Sequence, residues 1–114
     1  MTKRYLRDRY STEGTLLSAA IERDRRILDA LGNIGVAGNL HHLVSEIPDQ
    51  FEDFYTVLID SRDVVSFELS KVGPAVPKNV HRSSAASYRE ELGQGKTRIR
   101  FDRLLEAAKR GANP

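Results

Sequence analysis

The stretch of this chain closest to a chemical motif is Gly93-Gln-Gly-Lys-Thr97. It ends like a Walker A loop, whose backbone amides and lysine cradle phosphates. The full spacing needs a glycine at position 90, where this chain has Glu90, and no aspartate-ended strand follows to hold magnesium. The segment therefore reads as a polar turn. The three histidines are His41, His42 and His81. Adjacent histidines on a helix diverge by about 100°, and the i, i+4 spacing of a helical zinc pair is absent. Ser83, Ser84 and Ser87 lie near His81 in sequence, but no Gly-x-Ser-x-Gly elbow accompanies them. A nucleophilic serine needs a base and a third group to orient that base, so helix capping explains these serines better. Glu52/Asp53 and Glu90/Glu91 read as solvated faces. The expectation is a non-enzymatic protein with no catalytic residues, no metal and no cofactor.

Charge is the chemistry that remains. The net charge is only +2, but its distribution is uneven. Residues 1–39 carry 7 basic and 5 acidic groups, residues 40–70 carry 1 and 7, and residues 71–114 carry 10 and 4. An acidic middle thus precedes a basic tail. Two binding readings follow. In the first, the chain binds another protein or a second copy of itself, as a small regulator, inhibitor or immunity-type module acting by surface complementarity. Asp60, Arg62, Asp63 and Glu68 would carry that contact. In the alternative, Lys96, Arg98, Arg100, Arg103, Lys109 and Arg110 contact nucleic-acid phosphates, with Tyr5 and Tyr10 as stacking groups. Simple attraction between the two charged segments competes with both.

The elements that must position these residues are legible to different degrees. Phe54-Tyr-Thr-Val-Leu-Ile-Asp-Ser-Arg-Asp-Val-Val-Ser-Phe-Glu-Leu69 reads as a β-hairpin, with two β-branched and aromatic runs around a polar tetrad. With Ser61 and Arg62 as the loop, Leu58 faces Val65, Thr56 faces Phe67 and Phe54 faces Leu69. A four-residue loop is the competing geometry, because Ser-Arg is not a type I′ pair. An isolated hairpin is at best marginal in water, so helices must cover it.

Candidates for those helices flank the hairpin. Glu13 to Leu31 has helical spacing, with Leu17, Ala20, Ile21, Ile27, Leu28 and Leu31 in one stripe and Gly32-Asn33 as the stop. Asp24 falls inside that stripe, where a carboxylate is costly unless paired. It is expected to be a buried polar residue meeting an arginine, or a group at an interface. Leu40, Leu43, Val44 and Ile47 predict a second helix before Pro48. Residues 72–82 read as a connection, Ser83 to Leu92 as a helix, and Thr97 to Phe101 as a third strand before a last helix. One continuous helix over 97–110 is the competing reading there.

The fold expected is therefore α+β: a small antiparallel sheet, hairpin 54–69 plus strand 97–101, packed against three to four amphipathic helices. At 114 residues it forms one domain, with residues 1–10 and 111–114 the places to expect disorder. The chain has no cysteine, and no window long and apolar enough for a membrane span. Its start lacks the apolar segment of a secretory signal. Those features point to a cytoplasmic protein without membrane contact, and no small-molecule substrate is inferred.

Overall fold

The computed structural model describes residues 22–112, which order as α1 (Glu22–Asn33), β1 (His41–Pro48), β2 (Glu52–Ile59), β3 (Asp63–Ser70), β4 (Lys78–Ser84), α2 (Ala85–Glu91) and α3 (Lys96–Ala112). The four strands form an antiparallel meander in the order β1-β2-β3-β4. The architecture is α+β, with α1 on one face of the sheet and α2 and α3 on the other. The N-terminal arm, Tyr5, Tyr10 and the start of the first helix, with Leu17, Ala20 and Ile21, lie outside the described residues, as do residues 113–114.

The hairpin forms, but one residue out of the expected register. Leu58 pairs with Val64, Val57 with Val65, Tyr55 with Phe67 and Phe54 with Glu68. A one-residue slip moves a whole strand's side chains to the opposite face. Val65, Phe67 and Leu69 therefore join Tyr55, Val57 and Ile59 beneath α1, where Ile27, Ala30 and Leu31 close the core. The Tyr55 and Phe67 rings meet there at a tilt of 48°, with centroids 5.9 Å apart. The cause is the turn. Asp60 and Ser61 both take positive φ (53° and 58°), and the Arg62 N–H donates to Ile59 O at 3.0 Å. Two consecutive positive φ values are what a type I′ turn demands.

Residues 40–47 are not a helix; β1 occupies them. The register shifts between Leu43 and Ser45, so an extra residue enters the strand. Leu43 and Glu46 then share the α1 face, while Val44 packs against the opposite core. The bulge imitates helical spacing in an extended strand. The connection expected over 72–82 is shorter, because Lys78–Ser84 form β4. The remaining link is tied to α1: Arg26 donates to Ser70 O at 2.6 Å and to Gly73 O at 2.9 Å, and Asn33 Nδ2 donates to Ala75 O at 2.7 Å.

The helix α1 runs through Gly32-Asn33 instead of breaking before them, and Gly35 is the glycine that ends it. Gly35 takes φ 73°, its N–H donates to Gly32 O, and the Val36 N–H donates to Leu31 O. This is a Schellman ending with glycine in the left-handed position. The helix α2 starts at its cap Ser84, whose hydroxyl accepts from the Ser87 N–H at 3.0 Å. The strand expected over 97–101 is helix: residues 96–112 are continuous α3. Phe101, Leu104, Leu105 and Ala108 supply its i, i+3, i+4, i+7 stripe. Phe101, Leu105 and Ala108 pack with Leu58, Val64, Ala85 and Tyr88, Leu104 is buried beside them, and the Tyr88 and Phe101 rings meet edge to face at 5.0 Å. Asp102, inside this helix, accepts from Arg89 of α2 at 2.6 and 3.1 Å.

Candidate interaction surfaces

Cross-strand pairing sorts the sheet's second face into two halves. Near the β2–β3 turn, His42, Leu58, Val64 and Ser83 form one row, and the α2–α3 core lies over it. Further along come the rows Ser45–Thr56–Ser66–His81 and Ile47–Phe54–Glu68–Lys78. Neither α2 nor α3 seals this far half. Ile47 is 58% exposed and Phe54 36%, although they are direct cross-strand neighbours. Phe51, 73% exposed, sits in the β1–β2 turn at the same end. The Lys71 N–H donates to Phe51 O at 3.1 Å, which brings exposed Val72 to this end as well. Four large apolar side chains thus open to solvent at one end of the sheet. Clustered exposed apolar groups mark interaction sites, where scattered ones do not.

Ionic contacts rim this end. Lys78 pairs with Glu52, and Lys71 Nζ lies 2.6 Å from Asp53. The lysine's hydrogen bond holds the Glu52 carboxyl below its usual range and raises the Lys78 ammonium. Asn79 Nδ2 donates to Glu68 at 2.6 Å. Much of the acidic middle segment is therefore already engaged. Glu46, buried on the α1 face, lies 3.4 Å from Arg23, which also pairs with buried Asp24 at 2.6 Å. Asp24 meets an arginine inside the helix stripe, in the arrangement expected of a paired buried carboxylate.

The four residues expected to carry protein binding are separated. Asp60 is occupied within the fold. Its Oδ1 accepts from the Asn39 and Leu40 N–H groups, both at 2.9 Å. Those bonds hold its carboxyl below the ordinary range. Arg62 is exposed in the turn, and its backbone carbonyl accepts from the Ala85 N–H. Asp63 begins β3 on the α1 face, and Glu68 lies five residues along on the opposite face. The turn and Glu68 do not form one surface. The apolar cluster around Phe54 escaped sequence reading because the wrong register placed Phe54 against Leu69. Its usable signal was three large apolar residues, Ile47, Phe51 and Phe54, within eight positions of an acidic segment.

The six expected phosphate contacts all fall on α3. At roughly 100° per residue, Lys96, Arg100, Arg103 and Arg110 share an arc of about 80° and run for about 21 Å. Arg98 and Lys109 take the other flank. Arg98 donates to Gly93 O at 3.3 Å, and Arg110 lies 3.7 Å from Glu106. Lys96 and Arg103 are exposed and make no ion pair among the described residues.

The histidines do not converge. His41 and His42 are on β1 and His81 on β4, opposite edges of the sheet. Three interstrand gaps separate them by about 14 Å. Among the described residues no group of three His, Cys, Asp or Glu could hold a metal ion. The Gly93–Thr97 segment is the α2–α3 turn, and Gly93 and Gly95 take positive φ there. No described helix is long and apolar enough to cross a membrane. Family models, curated proteins and solved structures give no match to this chain.

Proposed function

We propose that the protein is a non-enzymatic protein-binding module, a regulator, inhibitor or immunity-type protein acting through the open end of its sheet. One observation carries this reading: Ile47, Phe51, Phe54 and Val72 all expose large apolar side chains at that end, beside the Glu52–Lys78 and Asp53–Lys71 charge pairs. An aromatic and aliphatic centre inside a polar rim is the usual anatomy of a binding patch. The partner is another protein or a second copy of this chain. The absence of cysteine fits action in the cytoplasm. The test is a complex purified with the full chain and titrated by calorimetry, alongside sedimentation for self-association. A Phe54→Glu variant should weaken the complex about 100-fold, as expected of a central aromatic contact. An unchanged complex would refute the site.

A second reading rests on the α3 cations. Lys96, Arg100, Arg103 and Arg110 form a stripe that suits phosphates. Binding of a DNA or RNA probe through it would fall steeply with salt, and Arg100→Glu with Arg103→Glu would abolish it. No shift of either probe at low salt would end this reading.

A further inference from the structure

A cleft on the α1 face, far from the open sheet end, carries chemistry that protein docking does not use. It holds about 340 Å³ between the α1–β1 connection and the start of β3. That volume is at the small end of the roughly 300–1,000 Å³ typical of ligand sites. Val36 and Ala37 form one wall, and the buried side chains of Ile59 and Val65 the other. Two opposite charges stand at its edge. Asp63 pairs with Ser84 and Val65 with Arg82, so Asp63 and Arg82 are diagonal neighbours on adjacent strands. Diagonal neighbours lie about 7–8 Å apart. They do not bridge each other, and Asp63 makes no side-chain hydrogen bond or ion pair among the described residues. The Arg82 guanidinium is anchored by one bond, from Nη2 to Ile34 O at 2.9 Å. Its remaining N–H donors are available in a planar fork that matches a carboxylate.

We infer that this cleft binds a small zwitterion, an α-amino acid with an aliphatic side chain. The ligand's carboxylate would lie on Arg82, its ammonium on Asp63, and its side chain on Val36, Ala37, Ile59 and Val65. An α-amino acid carries both complementary charges on one carbon and so can meet Arg82 and Asp63 at once. A ligand with only one of these charges engages only one of the two partners, so it should bind more weakly than the zwitterion. The site is independent of the proposed protein contact, because it lies on the other face and at the other end of the sheet.

The test is a ¹H–¹⁵N titration of the full chain with L-valine, L-leucine and L-methionine. N-acetyl-L-leucine and L-leucinamide serve as single-charge controls. Saturable shifts are expected at Gly35, Ala37, Asp63 and Arg82 with at least one free amino acid. Each control should bind about tenfold or more weakly, a difference of about 1.4 kcal/mol. Asp63→Asn, at an exposed position, should keep the spectrum of a folded protein and lose the response. No saturable shift with any of the three up to about 20 mM, far above a roughly 1 mM dissociation constant, would overturn the inference. Equal binding of a control, or an undiminished response in folded Asp63→Asn, would overturn it equally.

Discussion

The two faces of the sheet use the same strands to opposite ends. On the α1 face, Tyr55, Val57 and Ile59 of β2 and Val65, Phe67 and Leu69 of β3 make an unbroken apolar run with Asp53 and Asp63 only at the strand starts, and α1 closes over it. On the second face the alternate residues change character along the strand. Leu58 and Val64 lie under α2 and α3, Thr56 and Ser66 follow with hydroxyls 3.4 Å apart, and Phe54 and Glu68 end the row in the open. Antiparallel sheets tolerate one wet face. Here the wet region is half a face, and it ends in a cluster of large apolar groups rather than in polar ones. The sealed face accounts for stability, and the open half is where a contact can be made without unfolding anything.

This contrast can be broken by mutation. Ile27 on α1 is fully buried, so Ile27→Ala should cost about 2–5 kcal/mol in urea unfolding. Ile47→Ala on the open half should stay within about 0.5 kcal/mol. Comparable losses at the two sites would erase the distinction between the faces.

The next effect concerns charge beneath α1. Arg23 holds Asp24 and lies beside Glu46, and both carboxylates are buried. Removing one partner of a buried ionic group strands the others, so Arg23→Met should cost about 3 kcal/mol. A loss confined to a few tenths would show that the arginine is dispensable there.

Acid should probe the covered half of the second face. Burial holds His42 below the ordinary 6.5, with His41 beside it adding to the shift. Burial lowers His41 as well, against the opposing pull of Asp60. The unfolded chain therefore binds protons first. Stability should be complete above about pH 6.5 and decline as the pH falls toward the depressed folded values. Urea midpoints at pH 7 and pH 5 measure this. His42→Leu should flatten the decline, and an unchanged slope would clear His42 of it.

The smallest effect is a gain. Ser61 sits at φ 58°, and its hydroxyl is buried without a hydrogen-bond partner. Ser61→Gly removes both penalties and should add about 1 kcal/mol. It should raise the thermal midpoint, and a lower midpoint would contradict the turn geometry.

Some of this was legible in the chain. The β2–β3 hairpin is visible because its β-branched and aromatic runs suit strands. Asp24 announces itself as a carboxylate in an apolar stripe. Other elements failed for identifiable reasons. The register is set by two residues at positive φ, and Asp-Ser does not advertise that conformation as Asp-Gly would. The bulge in β1 spaces Leu43, Val44 and Ile47 like a helix. Nearly all of β4 is exposed, so no burial pattern marks it, and only the edge of β3 makes it a strand. Lys96 to Phe101 alternates like a strand, yet Ile99 is left exposed and Phe101 belongs to a helical stripe that continues to Ala108. The apolar end of the sheet could not be read because it depends on register, bulge and helix placement together.

The most direct test of the open end places a photoreactive phenylalanine analogue at position 54, at Arg25 on the outer side of α1, or at Arg103 on α3. Irradiation in the source cells should give a discrete protein adduct from position 54, with none from the other two. A nucleic-acid adduct from position 103, or a protein adduct from position 25 with none from 54, would contradict the assignment of the open sheet end as the binding surface.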